Sequence, residues 1–198
     1  MVRMLKPPAQ INDDKGPFVF LAGSIEMGKA RDWQQEFFDS FQNEDVVFLN
    51  PRRDDWDSNW EQSASNPSFR EQVEWELAGL ERADVIAMYL QPSTMSPVSM
   101  LELGLHAHSG RLVVCCPEGF WRKGNIHIVC ERFGVECVES LADLITRTRE
   151  RLAGVTYLRV QWPHDHHDEP VELFSEFDRE RREIRKVVDY RYGTFGFF

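Results

Sequence analysis

Five short apolar runs, at residues 17–22, 45–49, 84–90, 111–116 and 135–138, recur along the chain, each followed by a segment with apolar residues at helical spacing. A run that is apolar throughout, rather than at every second position, suits a strand buried on both faces. Such strands belong to parallel sheets covered by helices. The spacing predicts those helices over residues 29–42, 68–82, from about Ser96, and over 125–133 and 140–152. In the first of them Trp33, Phe37, Phe38 and Phe41 repeat at three- and four-residue intervals, the pattern of core packing.

Strands alternating with helices predict an α/β fold: a doubly wound, flavodoxin-like parallel sheet of five strands with helices on both faces. Ligands of such sheets bind beyond the carboxyl ends of the strands. That rule gathers Gly23 and Ser24, residues 50–56, residues 91–102 and residues 117–124 on one edge. Residues 1–16 read as a loose lead-in, 17–153 as the folded domain and 154–198 as a C-terminal helical extension. In the extension we expect a strand at 157–160, a polar loop at 164–168 and a charge-rich helix at 169–190. Phe174, Phe177, Ile184, Val187 and Val188 would form that helix's apolar stripe. The ending, with Phe195, Phe197 and Phe198, is too apolar for a solvated tail, so it should dock on its own domain or on a neighbouring subunit.

Charge narrows the partners. Thirty-three acids against 23 lysines and arginines leave −10, which disfavours a nucleic-acid polymer but not a small nucleoside. No stretch approaches the ~20 apolar residues of a membrane span, and residues 1–15 lack the apolar core of a signal peptide. The four cysteines, Cys115, Cys116, Cys130 and Cys137, show no C-x-x-C spacing. A reduced, cytoplasmic protein is the expectation. The cluster from His164 to Asp168 offers consecutive ligands that cannot easily converge on an ion, so no metal is expected there.

The richest stretch follows the third run. Residues 91–97 hold breakers and capping residues, so a helix should begin near Ser96 with Pro97 at its first position. Glu102 then falls on its second turn among Met100, Leu101, Leu103 and Leu105. A carboxylate in that company is either desolvated in a cleft or simply solvated on the helix surface. Earlier, Gln72 and Glu76 are four apart on one helix face. Residues 50–66 form a long polar loop of the kind that is usually functional or mobile. Within it Trp56 could stack on a flat ligand while Asp54 or Asp55 bonds its edge, or the loop could be ordinary solvated chain.

The segment Ser99-Met100-Leu101-Glu102-Leu103-Gly104, after a strand and a Ser/Pro turn, resembles the nucleophile motif of the nucleoside 2-deoxyribosyltransferase superfamily. The likeness extends, in order, to Phe18-Val19-Phe20-Leu21-Ala22-Gly23-Ser24-Ile25, to Asn50-Pro51-Arg52-Arg53 and to Gln72-Val73-Glu74-Trp75-Glu76-Leu77 before Ala83-Asp84. It covers roughly residues 17–145. The resemblance implies that Glu102 attacks the anomeric carbon of a 2′-deoxynucleoside and carries the deoxyribosyl group covalently until another base accepts it. Glu76 stands where the family places an Asp that handles the leaving base, a departure that keeps the carboxylate and lengthens it by one methylene. Gly23, Ser24, Ile25 and Glu26 would lie against the sugar and its 5′ group. Asn50, Arg52, Asp54, Asp55, Trp56, Gln72, Ser96 and Ser99 would complete substrate binding. Neither cofactor nor metal is implied. The partners implied are a deoxynucleoside, a free nucleobase and further copies of the chain, at least as a dimer.

Two alternatives stay open. The related 2′-deoxynucleoside 5′-phosphate N-hydrolases have a similar Gly-Ser-Ile turn but an Arg at the position of Glu26, and in them water accepts the sugar. Separately, residues 23–30 nearly spell the phosphate-binding loop G-x-x-x-x-G-K-[ST], which would suit a non-catalytic nucleotide-binding module. Ala30 removes the magnesium-binding hydroxyl and Glu26 puts negative charge into the phosphate cradle.

Overall fold

The structure, a computed structural model, describes residues 1–11, 16–26, 30–160, 171–178, 183–189 and 193–195. The backbone divides into two compact units, Met1–Thr148 and Arg149–Phe198.

In the first unit the elements run β1 (Arg3–Leu5), β2 (Phe18–Gly23), α1 (Trp33–Asp39), β3 (Val47–Leu49), α2 (Pro67–Arg82), β4 (Val85–Tyr89), α3 (Pro97–His106), β5 (Leu112–Cys115), α4 (Lys123–Phe133), β6 (Glu136–Val138) and α5 (Leu141–Leu152). The sheet is parallel throughout, in the order β1-β3-β2-β4-β5-β6. It has six strands rather than the five expected. The sixth is β1, drawn from the segment read as a loose lead-in, which adds to the β3 edge with Arg3 beside Val47 and Leu5 beside Leu49. Three residues are too few for a pattern, and a half-exposed edge strand need not be apolar.

Every residue of β2 and β3 is buried, as continuous apolar runs require. Side chains alternate between the two faces. Phe48 points to the face covered by α1, where the rings of Phe37 in that helix and Phe41 just beyond it lie 5.8 and 5.1 Å away. Phe20 points to the other face and meets Trp75 of α2 at 6.4 Å. Removing a side chain of this size from water contributes about 2–3 kcal/mol, so these rings fix which helix covers which face. Gly79 lets α2 lie close: a Cβ there would stand 2.8 Å from the Phe20 ring. Asp84 locks the start of β4 to β2, its Oδ2 accepting from the Phe18 amide at 2.7 Å. Among the described residues no helix is long and apolar enough to cross a membrane.

The second unit corrects the sequence reading. Strand β7 (Val155–Val160) includes the strand expected at 157–160, but in place of a helix over 169–190 there are β8 (Val171–Asp178) and β9 (Glu183–Asp189), followed by β10 (Gly193–Phe195), and the four form an antiparallel sheet in the order β10-β9-β8-β7. The abundant Glu and Arg favour a helix locally, and the apolar residues happen to fit its period. Pairing over eight residues of β8, rich in Val, Leu and Phe, overrides that weak preference. The histidine loop at 164–168 and the terminal Phe197 and Phe198 lie outside the described residues.

Candidate active site

The sheet order reverses between β2 and β4, with β3 on one side of β2 and β5 beyond β4, and the crevice of such a fold opens at the carboxyl ends there. Gly23 ends β2 at φ 129°, where a Cβ would stand 2.1 Å from the Tyr89 carbonyl oxygen, so no other residue fits. Ser24 follows, fully buried, its amide donating to the Tyr89 carbonyl at 2.9 Å. Its Oγ accepts from the Gln91 amide at 2.8 Å and shares hydrogen bonds with Ser96 Oγ at 2.7 Å and Thr94 Oγ1 at 2.8 Å. Ser24 and Ser96 are therefore engaged with each other, and Thr94 and Gln91 join them without having stood out in the sequence. The breaker-rich turn at 91–97 was the available signal.

Glu26 extends this junction. One of its oxygens, Oε1, accepts from the amides of Met95 and Ser96, both at 2.9 Å, putting a carboxylate at the start of α3 where the helix dipole favours it. Ser96 caps α3 and Pro97 opens it, as expected, but Ser96 makes no side-chain cap bond. Glu26, Ser93 and Ser96 all adopt positive φ, at 48°, 63° and 44°. Left-handed non-glycine residues cost of order 1 kcal/mol each, and here they converge on the turn that launches α3. Ile25 is half-buried between Ser24 and Glu26, and residues 27–29, the middle of the near phosphate-binding loop, lie outside the described residues.

Helix α3 turns Ser99, Glu102 and Leu103 inward. Glu102 is 8% exposed, and its carboxyl is pushed up to about 8, first by burial and second by the charge of Glu76. The Glu76 carboxyl is itself raised by burial, against the opposing effect of a hydrogen bond from Gln72. Gln72 Nε2 donates to Glu76 Oε1 at 2.8 Å and to the Pro51 carbonyl at 2.9 Å. Two carboxyls from α2 and α3 thus share one desolvated environment, the arrangement that favours a single proton between them.

The polar loop contributes less than expected. Asn50 is buried and closes a local turn, its Oδ1 accepting from the Arg52 amide at 3.0 Å. Arg52 donates to the carbonyls of Ala30 and Arg31 at 3.1 and 3.2 Å, so it braces the segment before α1. Asp54 pairs with Lys6 at 2.6 Å and Asp55 with Arg53 at 2.6 Å, and both acids are largely exposed. Trp56 is half-buried, edge-on to Trp60 at 5.2 Å, with its indole N–H buried and without a partner. The structure therefore brings together Gly23, Ser24, Glu26 and Ser96 at one junction and Gln72, Glu76 and Glu102 at another. It shows Asp54 and Asp55 in ion pairs at the surface.

His106 sits beside Arg111, Nδ1 to Nη2 3.5 Å, and is held below the usual histidine range by burial and by that guanidinium. The cysteines are free, and burial pushes the Cys115 and Cys116 thiols up to about 12, far from a nucleophile's range. Among the described residues no group of three or more His, Cys, Asp or Glu is placed to hold a metal ion.

No curated protein matches the chain. A solved structure, a conserved protein from Enterococcus faecalis V583, superposes with a TM-score of 0.52 at 11% identity, covering 70% of this chain and all of that one, and so shares its fold. Residues 156–198 match a family described as a domain of unknown function (DUF6881). Residues 16–120, more than half of the chain and including both Glu76 and Glu102, match the model described as nucleoside 2-deoxyribosyltransferase like. The carboxyl pair thus falls inside the matched segment, and by that match the chain belongs to the nucleoside 2-deoxyribosyltransferase-like family.

Proposed function

We propose that this protein is an N-deoxyribosyltransferase that cleaves the N-glycosidic bond of 2′-deoxynucleosides through a covalent deoxyribosyl-Glu102 intermediate. The observation that carries the reading is the buried Glu76 and Glu102 pair, in which one carboxyl can be ionised while the other keeps its proton. At rest the proton of the pair sits on Glu102, whose carboxyl is raised to about 8; once it has passed to Glu76, the ionised Glu102 attacks C1′ as the bond to the base breaks and its electron pair passes to the base, which takes the proton from Glu76. A second base then attacks C1′ on the face the first one left, expelling Glu102 and returning its proton to Glu76. Stereochemistry is retained, as in retaining glycosidases. Four free thiols, three of them buried, suit a reducing cytoplasm, and exchange of bases between deoxynucleosides would serve nucleoside salvage.

The test is incubation with each deoxynucleoside, with and without a free acceptor base, followed by chromatography. Base exchange that needs the acceptor supports transfer, and release of free deoxyribose without one identifies a hydrolase instead. The same assay reports on the 5′ end. With Glu26 holding negative charge at the start of α3, free deoxynucleosides are expected to exceed their 5′-monophosphates by at least about tenfold in kcat/KM. A preference for the monophosphate overturns that expectation.

We also propose a homo-oligomer, with α3 as its contact. Its outer face exposes Val98, Leu101 and Leu105 at 58, 62 and 59%, beside Met95 and Trp121. Gly104 lies on the same face, where a Cβ would meet nothing within 4 Å. A glycine inside a helix costs about 1 kcal/mol, and nothing among the described residues requires one here. Close approach of another backbone does. On α3 itself the exposed residues Val98, Leu101, Gly104 and Leu105 carry no charge, which suits a second copy of a chain at −10. Leu101→Glu with Leu105→Glu is expected to reduce the mass in solution by light scattering to that of one chain. An unchanged mass removes α3 from the contact.

A further inference from the structure

Gln72 entered as a candidate for substrate binding, but its geometry ties it to Glu76. The side chain is 4% exposed, and both hydrogens of its amide have acceptors, one the Pro51 carbonyl and the other Glu76 Oε1. Its own oxygen is buried without a partner. The amide cannot rotate by half a turn, because its oxygen would then face the Pro51 carbonyl and the pair would repel. Gln72 is thus a fixed donor toward one chosen oxygen of the carboxyl.

In a neutral carboxyl group the carbonyl oxygen is the better acceptor and the other oxygen holds the hydrogen. A permanent N–H donor at Oε1 therefore makes Oε1 the carbonyl oxygen and leaves the hydrogen to Oε2. We propose that Gln72 is a positioning residue that fixes the acid proton of Glu76 on Oε2, the oxygen turned away from Gln72 and free to meet the departing base. This rests on the reading of Glu76 as the general acid. Because Pro51 opens the loop after β3, the same amide also sets that loop against α2.

The groups around Glu76 make the pH effect separable. Its own helix presents the uncharged Gln72, the loop after β3 presents the uncharged Pro51 carbonyl, and α3 presents Glu102. Glu102 acts equally in wild type and variant, so a difference between them isolates Gln72. The donor favours the ionised form of Glu76. Without it Glu76 keeps its proton to higher pH, but that proton can sit on either oxygen.

The test is Gln72→Met, close in shape and lacking both donors. The expected result is a kcat about 10- to 100-fold lower at the optimum with KM nearly unchanged, together with an alkaline limb of the kcat profile displaced to higher pH. The carboxyl carbon of Glu76, followed by 13C NMR, should titrate at higher pH in the variant. If Gln72→Met does not fold, Gln72→Asn keeps an amide but withdraws it by one methylene and is expected to give the same two displacements. A folded variant whose limb and carboxyl titration coincide with wild type overturns the proposal. Full activity in Glu76→Gln would instead remove the general acid on which it rests, while leaving the NMR comparison to decide whether Gln72 biases the carboxyl.

Discussion

Glu102→Gln is expected to lower turnover by at least about 10³-fold while the protein stays folded, because the amide keeps the shape of the side chain and loses the nucleophile. Glu102 is inward-facing on α3 beside Ser99 and Leu103, so the substitution keeps the shape of the side chain and removes only its ability to ionise. A single-turnover experiment separates the two half-reactions: the variant should form no deoxyribosyl adduct by intact-mass measurement, and wild type should form one when no acceptor base is supplied. A variant that keeps more than a few per cent of the wild-type rate would take Glu102 out of the mechanism.

The same substitution is expected to stabilise the protein at alkaline pH. The folded-state carboxyl of Glu102 titrates at about 8 against 4.5 for an ordinary glutamate. The folded chain therefore holds a proton that the unfolded chain has released, and the associated stability is complete below about pH 4.5 and drains away as pH rises through 8. Each tenfold change in protonation preference is worth about 1.4 kcal/mol, so the loss is on the order of 5 kcal/mol. Glu76, raised by the same burial, drains in the same direction. Denaturant unfolding should show wild type losing stability between pH 5 and 9, with Glu102→Gln much flatter and the more stable protein at pH 9. Equal stability of the two proteins at pH 9 would show that Glu102 is not held neutral by its surroundings. If the result is as expected, the chain carries its acid pair at a cost that a simple amide would avoid.

What the sequence disclosed follows from the range of the interactions involved. The strands β2 to β5 were legible because burial on both faces leaves a continuous apolar run, and the start of α3 because Ser96 and Pro97 act locally. Glu102 and Glu76 were singled out by the family resemblance, the pattern around Glu102 having left a cleft and a solvated helix surface equally open, and both carboxyls are desolvated. Asp54 and Asp55 looked equally promising. Whether an acid is free depends on its partner, and the partner of Asp54 is Lys6, 48 residues away, a distance no local pattern spans. Edge strand β1 and strands β8 to β10 were missed because strand pairing decided them, β1 by distant backbone beside β3 and β8 and β9 by each other, where a helical period in the apolar residues had pointed elsewhere.

The junction of Ser24, Glu26, Thr94 and Ser96 has a consequence for anyone who wishes to re-engineer the protein. The turn after β2 and the turn after β4 are stitched by shared hydroxyls and by one carboxylate on two amides, and the φ values of Glu26, Ser93 and Ser96 hold only while both halves are present. They are one cassette in two pieces. Grafting either turn alone from a relative would leave a left-handed serine without its partners and shift the first turn of α3, and Glu102 with it. Exchanged together, the two turns are a transplantable unit through which this end of the crevice could be rebuilt without disturbing the acid pair.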